Sequence, residues 1–186
     1  MLRTVINRSV VKIKFSGNVS IGRNTFIKAR DLMIGRNAKG KISLGDHSVC
    51  RAQLYSFLDQ GRIEVGDYCF LGQNSKIWAL ERITIGNRVM ISHNCFIVDN
   101  LTHPLDPAER HAQYLGKIGL GKKTEPDLQP APVIIEDDVW VGANAILLPG
   151  VQVGQGAVIG AGAVVTSEIP ARVLAVGNPA RVVKKL

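Results

Sequence analysis

This 186-residue chain has few aromatics, no long apolar runs and too few cysteines for a disulfide framework. No stretch of about 18 apolar residues occurs, so no membrane-crossing helix is expected. The first fifteen residues are broken by Arg3, Arg8, Lys12 and Lys14 and lack an apolar run of signal-peptide length, which points to a cytoplasmic protein. Aromatics make up 5% of the chain while hydrophobic residues make up 46%, so a core has to be built from Val, Ile, Leu and Ala. Three cysteines, Cys50, Cys69 and Cys95, lack CxxC spacing, and an odd count argues for buried small side chains rather than disulfides. Glycine is plentiful at 19 residues, a density of helix-breaking positions that argues against a helical bundle. The length favours one domain, 1–186.

Charge is unevenly spread. The net charge is +8, yet residues 1–41 hold ten Lys or Arg against Asp31 alone, so the excess is N-terminal. A positive region of that kind either confers solubility or attracts an anionic glycan, a membrane surface or a phosphorylated substrate. Nucleic acid is not expected as a partner, because only Phe15 and Phe26 are interleaved with the basic residues and no nucleic-acid motif is present.

A six-residue period dominates the sequence. Stepping from Ile135 gives Val141, Leu147, Val153, Ile159 and Val165, all aliphatic, and four residues after each comes Val139, Ala145, Val151, Ala157, Ala163 or Ile169. The same beat runs through Val65, Leu71 and Ile77 and through Ile85, Ile91 and Ile97. A second motif, I-x-aliphatic-G-[DN], recurs at Ile42–Asp46, Ile63–Asp67 and Ile83–Asn87, spaced by 21 and then 20, with Val133–Asp137 as a variant. An α-helix repeats every 3.6 residues and a long strand every two, so neither explains a hexad. Short strands separated by tight corners do: the aliphatic residue points inward, the small residue fills the angle, and three faces close one coil of about 18 residues. An all-β, parallel β-helix follows.

The hexads stop after Ile97 and resume at Val133. The intervening 99–132 segment is proline-rich and carries no repeat, which makes it a projecting loop with a functional role. Ile97 to Ile135 is 38 residues, near two coil lengths, so the excursion is expected to leave the ladder in register. Residues 1–20 and 167–186 are expected to cap the two ends.

These hexads resemble the left-handed parallel β-helix of the hexapeptide-repeat acyltransferases, over roughly residues 17–181. The handedness comes from the resemblance alone. The stretch Asn100-Leu-Thr-His-Pro-Leu-Asp-Pro107 is similar to the His-Pro signature of the maltose and galactoside O-acetyltransferases. ISHNCFIVDNLTHPLDPAER followed by VIIEDDVWVGAN looks closest to the O-acetyltransferases of capsule and lipopolysaccharide assembly. The resemblance implies acetyl-CoA as co-substrate, a sugar or glycan acceptor, a homotrimer with intersubunit sites, and no metal. It makes His103 the catalytic base, an imidazole that takes the acceptor hydroxyl's proton as the oxygen attacks the thioester. It makes the Ala143 N–H the donor to the tetrahedral intermediate. It places Trp140, Ala143 and Ala161 along the pantetheine arm, and Thr166, Arg181 and Lys184 near the nucleotide end, where cations suit phosphates.

The chain departs from the family pattern where Lys commonly follows the Thr and Ser167 stands here. Gly72 and Leu80 stand where maltose and galactoside enzymes carry an Asn and an acidic sugar contact, so neutral free galactosides are expected to be poor acceptors. Asn74 and His93 are further candidates for the acceptor cleft. Asp106, Asp99 or a backbone carbonyl are the candidates to orient His103. A bland reading stands beside each assignment: Trp140 as corner packing, His103 as an ordinary loop histidine. The rival functions are an N-acetyltransferase of an amino sugar, and a γ-class carbonic anhydrase-like metal enzyme that would need His93, His103 and His111 to converge on zinc.

Overall fold

The computed structural model describes residues 18–27, 31–33 and 39–186. Seven of the ten basic residues of the 1–41 segment (Arg3, Arg8, Lys12, Lys14, Lys28, Arg30 and Arg36) and most of the 1–20 cap lie outside these residues.

Each coil contributes one strand to each of three sheets. The first face runs Val19–Ile21, Lys41–Leu44, Arg62–Val65, Arg82–Ile85, Val133–Ile135 and Gln152–Val153, all parallel. The second runs Val49–Cys50, Phe70–Leu71, Met90–Ile91, Trp140–Val141, Val158–Ile159 and Val173–Val176, and ends on an antiparallel return strand, Arg181–Lys185. The third runs Leu32–Met33, Gln53–Ser56, Lys76–Ala79, Phe96–Val98, Ile146–Leu147 and Val164–Val165. The expected β-helix is therefore present.

The hexad residues fill the interior. Ile135, Val141, Leu147, Val153, Ile159 and Val165 are at most 1% exposed, and the corner-filling Val139, Ala145, Val151, Ala157 and Ala163 are buried beside them. Cys69 and Cys95 take the same small-residue position, buried and unbridged. Their backbone N–H groups donate to Ser48 Oγ (2.9 Å) and Ser75 Oγ (3.0 Å), side chains that occupy that position one coil earlier.

The [DN] of the longer motif has a direct physical cause. At the corner between the first and second faces each coil's side chain accepts the N–H of the coil before it. Arg23 N–H donates to Asp46 (2.6 Å), Asp46 to Asp67 (2.7 Å), Asp67 to Asn87 (2.9 Å) and Asn87 to Asp137 (2.8 Å). Corner amides that a strand ladder cannot reach are thereby satisfied. Glycine before that residue allows the close stacking: a Cβ at Gly66 would come within 2.6 Å of Asn87 Oδ1 and 2.7 Å of Gly86 O.

The interruption leaves from the corner between the third and first faces. Ile83 pairs with Val133 and Ile85 with Ile135, so the ladder stays in register across the excursion, as expected. The two-coil spacing was illusory, however. Ile97 pairs with Leu147, fifty residues on, where Leu147 pairs with Val165 only eighteen on. A single coil carries the whole insertion. Nor is the insertion all loop: residues Pro107–Lys117 form an α-helix. Asp106 caps it by accepting Glu109 N–H, Pro107 occupies the first turn where a missing N–H costs nothing, and Lys117 sits in the last turn.

Candidate functional site

The arm is anchored before it turns outward. Asp99, fully buried, accepts Leu80 N–H (2.7 Å), Glu81 N–H (2.9 Å) and an Asn100 Nδ2–H (3.0 Å). Backbone bonds Leu101 N–H to Leu128 O (2.9 Å) and Ala131 N–H to Asp99 O (2.7 Å) tie its outgoing and returning limbs together. Thr102 then makes a sharp bend at φ +60°, with His103 N–H donating to Leu101 O at 2.6 Å. A β-branched residue in that region is strained by about 1–3 kcal/mol, a cost typical of functional loops. Asn100 Oδ1 offsets part of it by accepting Thr102 N–H (2.8 Å).

His103 emerges exposed from this turn, with its Nδ1 2.7 Å from Gln113 Oε1. Gln113 is 7% exposed and is one of the two buried residues of the helix. An amide oxygen facing Nδ1 holds the ring as the Nδ1–H tautomer and leaves the lone pair on Nε2. Arg110 fastens the helix to the turn through Nη1 to Pro104 O and Leu105 O, both 2.9 Å. The orienting group is therefore none of those anticipated. Asp99 is spent on backbone amides, Asp106 caps the helix, and Gln113 comes to the ring only because a helix forms ten residues downstream. The D-P-x-E cap at 106–109 was the available signal.

Four of the remaining candidates share one corner, that between the second and third faces. Asn94 N–H donates to Gln73 O (3.1 Å), Asn144 N–H to His93 O (3.0 Å) and Gly162 N–H to Ala143 O (2.8 Å), which stacks Asn74, His93, Ala143 and Ala161 in successive coils. Small residues are required there: a Cβ on Gly142 would lie 2.6 Å from Ala161 N. The Ala143 N–H makes no hydrogen bond within the described chain, like those of His93 and Ala161 at equivalent places. Trp140 lies just before this corner, half exposed, with Nε1 3.3 Å from Ser92 Oγ. His93 Nδ1 accepts Gln73 N–H (3.1 Å), a bridge between coils. Asn74, Asn94 and Asn144 all have φ near +60°, so the corner backbone itself favours Asn at 74.

Thr166 follows the third-face strand and lies at its far end from Ala161. Arg181 and Lys184 stand exposed on the return strand, opposite Val176 and Leu174. Gly72 needs a different explanation from the one its sequence position suggested. A Cβ there would collide with the Ser92 carbonyl, so close stacking of the coils by itself requires glycine at this position.

A cleft of about 470 Å³ opens beside the arm, lined by Asn74, Lys76, Trp78, Asn94, Phe96 and Thr102, with Cys95 at its floor. Burial pushes the Cys95 thiol up, away from the thiolate a nucleophile would need. Among the described residues no three His, Cys, Asp or Glu side chains cluster as a metal site. None of their helices is long and apolar enough to cross a membrane.

A three-faced coil stack with small-residue corners and an inserted histidine arm defines a class, the hexapeptide β-helix. The family described as "Hexapeptide repeat of succinyl-transferase" matches residues 62–98 and 132–167. A putative acetyltransferase of Saccharomyces cerevisiae is 36% identical over 149 residues, covering 74% of this chain and 69% of its own. A galactoside O-acetyltransferase of Lactococcus lactis subsp. lactis is 34% identical over 145 residues (77% and 62%), and a putative acetyltransferase of Schizosaccharomyces pombe 40% over 124 (67% and 53%). A solved structure of a variant of AntD, an N-acyltransferase from Bacillus cereus, with dTDP and coenzyme A shares the fold at TM-score 0.68 and 21% identity, over 89% of this chain and 82% of that one. The chain belongs to the hexapeptide-repeat acyltransferase family. It spans 53% of the length of the Schizosaccharomyces pombe relative and 62% of that of the Lactococcus lactis one.

Proposed function

We propose that the protein is an acetyl-CoA-dependent O-acetyltransferase acting on a sugar hydroxyl, of a surface polysaccharide or its precursor, in the cytoplasm. The observation that carries this reading is the 2.7 Å contact of His103 Nδ1 with Gln113 Oε1, which leaves Nε2 as a base at the tip of the arm. The sugar hydroxyl gives its proton to Nε2 as its oxygen attacks the thioester carbonyl. The tetrahedral oxyanion takes the unspent Ala143 N–H, and collapse expels the CoA thiolate, which recovers the proton from the imidazolium. A thioester is already activated, so no covalent enzyme intermediate is needed. Trp140, Ala143 and Ala161 line the pantetheine arm, with Thr166, Arg181 and Lys184 toward the nucleotide end. Asn74 and His93 contribute on the acceptor side. The coils wind left-handed, and three chains associate so that one protomer's arm faces its neighbour's corner.

The test is the bond formed. Sugars are incubated with the protein and acetyl-CoA, and the product is treated with mild alkali. An ester releases its acetate, as the proposal requires. An acetyl group that survives is an amide, and would make the protein an N-acetyltransferase instead.

A further inference from the structure

The cleft walled by Thr102, the residue before His103, is chemically one-sided. Lys76 is the one charged residue lining it, and the rest are two aromatics, two amides, a hydroxyl and a buried thiol. The larger cleft at the corner between the third and first faces, by contrast, mixes Arg62 and Arg82 with Glu81. Lys76 is in no ion pair among the described residues. Its Nζ instead lies 5.5 Å from the centre of the Trp78 ring.

Trp78 is fixed in place. Its Nε1 donates to Gln53 Oε1 at 3.0 Å, and Tyr55 and Phe96 abut it edge-on at 5.7 and 5.3 Å between centroids. The strand register explains this: Tyr55 and Trp78 are direct neighbours, as are Gln53, Lys76 and Phe96. A rigid indole flanked by amides and a hydroxyl suits a ring with one apolar face and many polar edges.

We propose that this cleft selects a sugar bearing an anionic substituent, with the Lys76 ammonium binding the carboxylate or phosphate while the sugar ring lies against Trp78. This rests on the acetyl-transfer reading and narrows its acceptor. Thr102, immediately before His103, forms one wall, so a ring held there presents its hydroxyls toward the arm. A hydrogen bond to a charged partner at a partly exposed site is worth about tenfold in affinity.

The test uses glucuronic acid, glucose 1-phosphate and methyl glucoside, with two readouts. The chain has two tryptophans, so in a Trp140→Phe protein Trp78 alone reports binding by fluorescence. Saturable change is expected with at least one of the anionic sugars, about tenfold tighter than with methyl glucoside and weakening with salt. Which anion binds distinguishes a uronate from a sugar phosphate. In Lys76→Gln on the same background the preference falls to about twofold or less, and Lys76→Arg retains it. The ratio of kcat/KM for anionic over neutral sugar, followed by thiol release from acetyl-CoA in the Trp140-containing protein, shifts in the same direction. No saturable signal with either anion, equal affinity for the neutral sugar, or a preference that survives Lys76→Gln each overturns the subsite. Thiol release that proceeds equally well on methyl glucoside and ignores Lys76 sinks the subsite and leaves acetyl transfer standing. Lys76-dependent anion binding with no acetyl transfer to any sugar does the reverse.

Discussion

Replacing Gln113 with Ala isolates what the arm's helix does for His103. The amide oxygen lies 2.7 Å from Nδ1, and the residue is 7% exposed, so the contact is largely shielded while the ring itself faces solvent. A neutral hydrogen bond of this kind is worth about 0.5–1.5 kcal/mol, a factor of about 2–12 in rate if it is felt in the transition state. Without an acceptor at Nδ1 the two neutral tautomers become comparable in population, which removes about another factor of two. The expected result is a fall in kcat of about 5–25-fold with KM for acetyl-CoA little changed, measured by thiol release under saturating acceptor. Gln113→Glu gives the sharper readout. It keeps an oxygen at Nδ1 and adds a negative charge that favours the protonated ring, so the acid limb of the pH–rate profile moves to higher pH. Full kcat in Gln113→Ala together with an unmoved acid limb in Gln113→Glu would refute the assignment of Gln113 as a positioning residue.

Gly142→Ala forces a Cβ to 2.6 Å from Ala161 N and 2.8 Å from Ile159 O, backbone atoms that cannot step aside, and is expected to cost about 1–3 kcal/mol in a denaturant titration. Burial pushes the Cys50 thiol up to about 12 and raises Cys69 and Cys95 as well, so none of the three should react with a thiol reagent at pH 8 until urea unfolds the chain. Asp138 is held down to about 2, first by its hydrogen bonds from Arg88 and Gln155, against an ordinary 3.8. Its contribution is present above pH 3.8 and lost as pH falls toward 2, so the urea midpoint should drop across that window and drop less in Arg88→Gln.

Much of this was readable because a hexad leaves little freedom. Ile135, Val141, Leu147 and their successors declare a period that only a coil of short strands satisfies, and the register from Ile42 through Ile63 to Ile83 follows the sequence spacing. The [DN] positions were visible as a motif, but their reason, acceptance of the N–H one coil back, needed the stack. The helix at Pro107–Lys117 was hidden because the residues it buries are Gln113 and Gly116, so no run of large apolar residues marks the face it packs. His103 stood out from its motif. Gln113 did not, since its part depends on that unseen helix. The aromatic row of Tyr55, Trp78 and Phe96 was equally invisible, because residues some twenty positions apart become neighbours only once the corners between them have set the register.

The central claim is that an imidazole on the arm moves the acceptor's proton. Acetylated sugar and released CoA thiol, quantified together for the wild-type protein and for His103→Ala, test it most directly. The account predicts one thiol per acetyl ester and a loss of about 10²–10⁴-fold in the variant, with folding unchanged. Turnover that persists undiminished without that ring would contradict it.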